Sequence, residues 1–138
     1  MGRILALDVG DKRIGLALSD PLKMIANPLE TLFRTTLNKD MAHLLDIISQ
    51  KEVELIVCGM PVSMMAKETE QTIKTKQFVE ELSKRTNLPI KLIDERLTTS
   101  SAERVLIEGG VRRENRKQVI DKVAATIILQ NYLDYYHK

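Results

Sequence analysis

The chain has 138 residues, of which 43% are hydrophobic and 29% charged, and its formal net charge is +2. This length allows one domain with a substantial core, and the near-neutral charge means that any nucleic-acid contact must come from local clusters of basic residues. A single cysteine, Cys58, excludes an internal disulfide, and no apolar stretch is long enough to span a membrane. We therefore expect a cytoplasmic protein in which residues 1–138 form a single domain.

The first half of the chain predicts three strands followed by a helix. Residues 3–9 and 14–19 are apolar runs joined by a short turn, and so short a connection requires an antiparallel hairpin. Residues 25–33 form a weaker strand, and Pro28 within it favours the edge of a sheet. Helical spacing then relates four apolar residues: Met41, Leu44, Leu45 and Ile48.

The second half alternates strands with helices. The predicted elements are a strand at 54–58, a helix at 67–85, a strand at 90–94, a helix from about 100 to 109 and a final helix from about 118 to 135. The helix at 67–85 is expected to bury Ile73 and Phe78. The polar, basic segment 111–117 is expected to be a loop. The final helix has a predicted core stripe of four residues: Ile120, Val123, Ala124 and Ile127.

This element order predicts an α/β fold. Three consecutive strands form an antiparallel meander, and the later strands, each reached through a helix, must be parallel to the first. The expected architecture is a five-stranded mixed sheet flanked by helices, with the first strand at its centre.

Three acidic residues stand where the pattern predicts apolar or small side chains. Asp8 lies near the end of the first strand, Glu95 follows the last strand, and Asp121 lies in the first turns of the final helix. Sites in open α/β sheets form outside the carboxyl ends of parallel strands, and a helix crossing there could add Asp121. Three carboxylates at close range require protons or divalent cations, and oxygen ligands suit Mg²⁺ or Mn²⁺.

Each acidic residue also has a purely structural interpretation. Asp8 could cap the turn at Gly10, and Glu95 could pair with Arg96 or with a surface lysine. Asp121 could be stabilised by the helix macrodipole. The catalytic interpretation therefore depends on the fold that brings the three together.

Four ordered motifs give the chain a family resemblance. The segments LDVGDKRIGLALSD, CGMP, DERLTT and DKVAATIILQNYL together closely resemble the YqgF family, which is also described as Holliday-junction-resolvase-like. The resemblance covers nearly the whole chain. It implies an RNase H-like fold and a metal-dependent endonuclease that matures the 5′ end of pre-16S ribosomal RNA.

The motifs imply the site residues as well: the catalytic and metal-binding carboxylates would be Asp8, Glu95 and Asp121. In such a site one Mg²⁺ or Mn²⁺ ion would activate water and a second would stabilise the leaving oxygen. Asp8 is the candidate for the bridging ligand, because a central strand would hold it most rigidly. Many family members carry a glycine-containing loop after the G-x-P motif. In this chain no glycine occurs between Gly59 and Gly109, so we expect that loop to have a different shape.

Seven basic residues are candidates for nucleic-acid contact. They are Lys12, Arg13, Arg96, Arg112, Arg113, Arg116 and Lys117. Phosphate contact is the functional interpretation, and a solvated basic surface is the alternative. With few aromatic residues, readout of bases by stacking is not expected.

Several functions remain open at this stage. A nuclease acting on structured RNA is the leading hypothesis, and cleavage of branched DNA or a non-catalytic nucleic-acid-binding module of the same fold are the alternatives. Sugar kinases and actin-like ATPases share the D-x-G motif, but a chain of this length lacks their second half. The sequence leaves open whether the protein is a monomer or a weak dimer.

Overall fold

Five strands and three helices make up the described part of the protein. The computed structural model describes residues 2–60, 70–94 and 113–135, with the backbone alone for residues 94, 113–122 and 135. In chain order the elements are β1 Arg3–Val9, β2 Arg13–Ser19, β3 Ala26–Phe33, α1 Leu37–Gln50, β4 Val53–Met60, α2 Glu70–Ser83, β5 Ile90–Asp94 and α3 Arg113–Tyr135. Within those ranges, no helix has the length and apolar character needed to cross a bilayer.

The strands form one mixed sheet in the order β3-β2-β1-β4-β5. The β1–β2 and β2–β3 pairs are antiparallel, and the β1–β4 and β4–β5 pairs are parallel. This arrangement confirms the predicted sheet, with β1 at its centre and β3 at one edge. Leu16 pairs with Glu30 and Ala17 with Pro28, so Leu29 is an extra residue that bulges the edge strand beside its proline.

Side chains of β1 alternate between two cores. Leu5, Leu7 and Val9 pack on one face with residues of α1 and α2. Ile4 and Ala6 pack on the other face with α3. This period of two is the strand repeat itself, and it assigns every β1 side chain to one face of the sheet.

The α1/α2 face carries bulky aliphatic side chains. Met41 and Leu44 of α1 and Phe78 and Leu82 of α2 are almost completely buried there. Burial of one such side chain stabilises the fold by about 1.5–3 kcal/mol. Thr36 caps the N-terminus of α1, and its side-chain oxygen accepts a hydrogen bond from the Lys39 backbone N–H at 3.2 Å.

The α3 face has smaller residues. Ala6 and Ala17 of the sheet meet Ala125 of the helix, and all three are fully buried. Small side chains on both surfaces let the helix axis approach the sheet closely. Larger residues then extend the contact along α3: Ile128, Leu129, Tyr132 and Leu133.

The structure corrects several predictions about the helices. The expected loop at 111–117 is wrong from Arg113 onward, because α3 begins there. Arginine, glutamate and lysine favour helices, and the segment has no proline or glycine to stop one. Asp121 is consequently in the third turn of α3 rather than the first turns, beyond the reach of the N-terminal macrodipole.

The predicted core stripe of α3 was also misplaced by one residue. Ala124 is buried as expected, but Val123 and Ile127 are only partly buried, whereas Ala125 and Ile128 are completely buried. The run from Val123 to Leu129 is apolar on nearly every side, so its periodicity does not select one face. In α2, Ile73 is 45% exposed and the polar Thr72 and Thr75 are buried instead. The predicted helix at 100–109 lies outside the described residues.

Candidate active site at the end of the central strand

Asp8 belongs to the α3 face of the sheet. It follows Ile4 and Ala6 at intervals of two along β1, and both of these pack against α3. Its side chain is half-buried, whereas Leu7 and Val9 on either side are buried in the α1/α2 core. The chain therefore holds one carboxylate near the carboxyl end of its central strand, on the side where α3 lies.

Glycines occupy both positions beside Asp8 on the neighbouring strands. On β2, Asp8 pairs with Gly15. On β4, Leu7 pairs with Cys58, which puts Gly59 next to Asp8 in the parallel register, and Gly59 in turn pairs with Ile93 of β5. Neither adjacent strand therefore contributes a side chain beside the Asp8 carboxylate at this level of the sheet.

The turn after Asp8 is tight and depends on glycine. The Gly10 N–H donates to the Arg13 carbonyl at 2.8 Å, which closes the loop between β1 and β2. A Cβ at position 10 would lie 2.8 Å from that same carbonyl oxygen, closer than real Cβ contacts allow. A larger residue at position 10 would therefore displace the backbone two residues beyond Asp8.

The described candidate residues in this hairpin are Asp8, Lys12 and Arg13. Lys12 is exposed in the turn, and Arg13 is half-buried at the start of β2. The positive charges thus lie within five residues of the carboxylate, on the same connection.

The remaining candidates lie elsewhere in the chain. Asp121, Arg113, Arg116 and Lys117 lie on α3, where the backbone alone is described. Glu95, Arg96, Arg112 and the loop after Met60 lie outside the described residues. Among side chains in the described ranges, no group of three His, Cys, Asp or Glu residues is arranged to hold a metal ion.

Two polar residues that the sequence analysis did not single out contact the turn after Asp8. Arg34, just after β3, and Gln71, in α2, each donate a hydrogen bond to a backbone carbonyl there. Both are distant from Asp8 in sequence, and neither belongs to a recognisable motif. Only the three-dimensional contact identifies them.

A groove of about 950 Å³ lies beside this turn, between the start of α1 and α2. Its lining carries three basic and four acidic side chains: Lys12, Arg34, Lys74, Asp11, Asp40, Glu80 and Glu81. Hydrogen bonds with Glu70 and then Asp11 raise the pKa of Lys74 above its usual value, so this lysine remains charged. With acidic residues in the majority, the groove does not favour a polyanion, and it opens on the α1/α2 side, away from the face that carries Asp8.

Comparison with known proteins identifies the family of the chain. The family model described as "RuvX: Holliday junction resolvase" matches residues 2–135. The chain belongs to this family. A relative from Desulforamulus reducens is 52% identical over 132 residues, covering 96% of both chains, and one from Halothermothrix orenii is 48% identical over 136 residues, covering 99% of this chain and 97% of the relative. Both are named "Putative pre-16S rRNA nuclease".

Solved structures show that this chain of the RuvX family shares its fold with resolvases. RuvC of T. thermophilus in complex with a Holliday junction substrate has a TM-score of 0.61 and 14% identity, covering 99% of this chain and 98% of RuvC. The Fowlpox virus resolvase in complex with Holliday junction DNA has a TM-score of 0.58 and 12% identity, covering 99% of both chains. The family resemblance and the RNase H-like fold predicted from the four motifs are thus confirmed.

Proposed function

We propose that this RuvX-family chain is a metal-dependent endonuclease that hydrolyses phosphodiester bonds in structured RNA, with the 5′ end of pre-16S rRNA as its substrate. The observation that carries the proposal is the half-buried Asp8, which lies near the carboxyl end of the central strand between Gly15 and Gly59. The name shared by its relatives supports the RNA substrate. We further propose that residues 1–138 act as a single domain in the cytoplasm.

The donor set of the proposed site is Asp8, Glu95 and Asp121. Three carboxylates supply the hard oxygen ligands that Mg²⁺ and Mn²⁺ prefer, and they leave positions for water and phosphate oxygens. When bound, the metal would activate a water molecule and stabilise the charge that develops on the leaving oxygen. Metal dependence is supported by the chemistry of these residues.

The alternation of β5 supports the inclusion of Glu95. Ile93 packs with the α3 core, and the Lys91 amine lies 5.6 Å from the centre of the Tyr132 ring of α3. Residues 91 and 93 thus belong to the face that carries Asp8. Glu95 is two residues after Ile93 and directly follows the strand, so the same alternation would put it on this face.

The length of α3 supports the inclusion of Asp121. Gln130 of α3 accepts a hydrogen bond from the Ala26 N–H at 2.9 Å, at the end of the sheet where β1 begins. From Gln130 back to Asp121 the helix covers about 13.5 Å, and from Ile4 to Asp8 the strand covers about 13 Å. A helix that runs antiparallel to β1 would therefore carry Asp121 to the level of Asp8.

Basic residues would hold the substrate on either side of these carboxylates. Lys12 and Arg13 lie in the connection after Asp8, and Arg96 follows Glu95 in sequence. At the start of α3, Arg113, Arg116 and Lys117 recur at helical spacing, with Arg112 just before them. Contacts to phosphates would position the strand without reading its sequence.

The proposal is tested by cleavage of a pre-16S rRNA fragment with Mg²⁺ or Mn²⁺, using the wild type, Asp8→Asn, Glu95→Gln and the matched control Asp20→Asn. Asp20 lies at the other end of β2, so it controls for the loss of one carboxylate. We expect metal-dependent cleavage by the wild type and by Asp20→Asn. We expect at least about a hundredfold loss in the two active-site variants, because several kcal/mol of transition-state stabilisation are removed.

A four-way DNA junction of similar size provides the second substrate. The description of the matching family, Holliday junction resolvase, favours branched DNA as the alternative substrate. Preferential cleavage of the junction would replace the RNA assignment with a resolvase activity. Full activity of Asp8→Asn on both substrates would contradict the proposed metal site, and binding without cleavage by any form would support a non-catalytic module.

A further inference from the structure

The backbone that follows Asp8 is held by side chains from outside the hairpin. One guanidinium nitrogen of Arg34 donates to the Gly10 carbonyl at 2.8 Å, and the Arg34 backbone N–H donates to the Lys12 carbonyl at 2.9 Å. The Gln71 side chain donates to the Val9 carbonyl at 3.0 Å. Three carbonyls within four residues of Asp8 therefore accept hydrogen bonds from Arg34 or from α2.

Arg34 is itself fixed by its surroundings. Its side chain is 24% exposed and lies 3.5 Å from a carboxylate oxygen of Asp40, whose side chain is 3% exposed. The other Asp40 oxygen accepts the Thr35 N–H at 3.1 Å, so the carboxylate is held in turn. The guanidinium also lies 5.1 Å from the centre of the Phe78 ring. These contacts hold the guanidinium where it reaches the Gly10 carbonyl.

The sheet gives less support at this point than further back along β1. The pairing of β1 with β4 ends at Leu7 and Cys58, one residue before Asp8, and the pairing with β2 ends at Val9 and Ile14. On the β4 side, a carboxylate that must keep a fixed geometry to about 0.5 Å therefore stands one residue beyond the end of the pairing, while on the β2 side it is still paired, with Gly15. The Gln71 side chain donates to Val9, the last residue paired with β2, and the Arg34 side chain donates to Gly10, the residue after it.

We propose that Arg34 is a positioning residue for the carboxylate of Asp8. This inference rests on the proposed function, because it assumes that Asp8 binds the metal. Arg34 fixes the Gly10 carbonyl, and with it the strand end that sets the direction of the Asp8 side chain. Gln71 assists by holding the Val9 carbonyl, and Asp40 keeps the guanidinium in place.

The test compares Arg34→Ala with Arg85→Ala as a matched control. Arg85 also connects the two helices, since it donates to Asn38 of α1 at 3.2 Å and to Glu81 of α2 at 2.9 Å, but it does not contact the turn. The measurements are kcat and KM for cleavage, the Kd for Mn²⁺ from electron paramagnetic resonance, and the midpoint of thermal unfolding. We expect Arg34→Ala to lower kcat and weaken Mn²⁺ binding by about tenfold or more, with KM unchanged.

Two further variants keep the result interpretable. Arg34→Lys retains one donor for the Gly10 carbonyl and should recover part of the lost kcat. Gln71→Met removes the donor to the Val9 carbonyl at nearly constant volume, and we expect it to lower kcat as well. This variant tests the positioning role if Arg34→Ala fails to fold. In the control, Arg85→Ala, we expect wild-type kcat and Mn²⁺ affinity.

The outcomes separate the positioning role from the proposed function. If Asp8→Asn cleaves as well as the wild type, the proposed metal site has failed. If Asp8→Asn is inactive while Arg34→Ala matches Arg85→Ala in kcat and in Mn²⁺ affinity, only the positioning role is overturned. A lowered kcat in Arg34→Ala with an unchanged Kd for Mn²⁺ would also overturn it, because the carboxylate would then be correctly placed.

Discussion

The turns at the two ends of β2 each lie next to an aspartate, and the two carboxylates are held in different ways. Asp20 stands at the start of its turn, where one carboxylate oxygen accepts the N–H groups of Met24 at 2.8 Å and Ile25 at 2.9 Å. Asp8 stands within a strand, between two glycine positions on the neighbouring strands. Asp20 is held by the amides of its own turn, which gives its carboxylate a role in shaping the backbone, whereas Asp8 carries its carboxylate on the α3 face near the end of the central strand.

Contacts from α3 and β4 also hold the Asp20 turn, residues 20–25, against the rest of the molecule. Gln130 of α3 donates to the Met24 carbonyl at 3.2 Å, and Lys23 forms an ion pair with Glu54 at the start of β4. Lys23 adopts a left-handed backbone conformation with φ of 60°. These contacts define the shape of the turn, and they lie at the end of the sheet opposite the proposed site.

The largest effect is expected from the substitution Asp121→Asn. It tests whether α3 brings a second carboxylate to the end of the sheet that carries Asp8. We expect at least about a hundredfold loss of cleavage with little change in the unfolding midpoint, because a metal ligand is lost without a change in packing. Asp134→Asn on the same helix is the control, since Asp134 accepts a hydrogen bond from Gln130 at 3.1 Å near the opposite end. Equal activity of the two variants would remove Asp121 from the site.

A smaller effect is expected from changing Arg112 and Arg113 together to alanine. Each lost phosphate contact reduces the slope of log affinity against log salt by about 0.7–0.9. Binding of the RNA fragment, measured by fluorescence anisotropy from low to high salt, should therefore weaken and show a shallower slope. The matched control changes Lys23 and Lys51, at the opposite end of the sheet, together to alanine. If both pairs change the slope equally, the basic surface is not confined to the Asp8 end.

At the other end of the sheet, Asp20→Ala should lower stability but leave cleavage unchanged. The hydrogen bonds from Ile25 and then Met24 lower the pKa of Asp20, so its ionised form stabilises the folded state. We expect the unfolding midpoint to fall by a few degrees at neutral pH. A loss of activity at unchanged stability would contradict the distinction between the two aspartates.

The same carboxylate gives a pH dependence with a defined sign. Its contribution is fully present above the unfolded value of about 3.9 and is lost as the pH falls through the lower pKa of the folded state. The difference in unfolding midpoint between the wild type and Asp20→Asn should therefore be constant from about pH 6 to about pH 5 and should shrink as the pH falls further to about 2. A difference that stays constant with pH would show that the charge of Asp20 does not matter.

The smallest effect is expected at the tip of the Asp20 turn. Leu22 is 68% exposed and Met24 is 66% exposed, so their side chains contribute little burial. Changing both to serine should alter the free energy of unfolding by no more than about 0.5 kcal/mol each. Denaturant unfolding measures this directly, and a larger loss would mean that the tip packs in solution.

Most of the fold could be predicted because the strands carry simple patterns. The apolar runs of β1 and β2 and the short turn at Gly10 define the hairpin, and Pro28 correctly indicated an edge strand. The start of α3 was missed because charged residues suit both a solvated loop and an exposed helical turn. Its buried side was misplaced because an apolar run of almost two turns has no single preferred face.

The site was predictable only in part. Asp8 is anomalous in sequence, since a carboxylate interrupts an apolar strand, and the structure puts it on the α3 face. The roles of Glu95 and Asp121 stay predictions. Arg34 and Gln71 could not be found from sequence, because a hydrogen bond to a backbone carbonyl depends on the fold and requires no particular motif.

The packing of α3 has a consequence for how the protein is made. The core beneath this helix unites Ile4 and Ala17 with Ile128 and Leu133, near opposite ends of the chain. During synthesis, all five strands leave the ribosome before α3 does, so the apolar residues of the sheet that pack against α3 lack that contact until then. Contacts so distant in sequence also slow folding. Truncation before Arg113 should therefore yield an aggregating chain rather than a smaller stable domain.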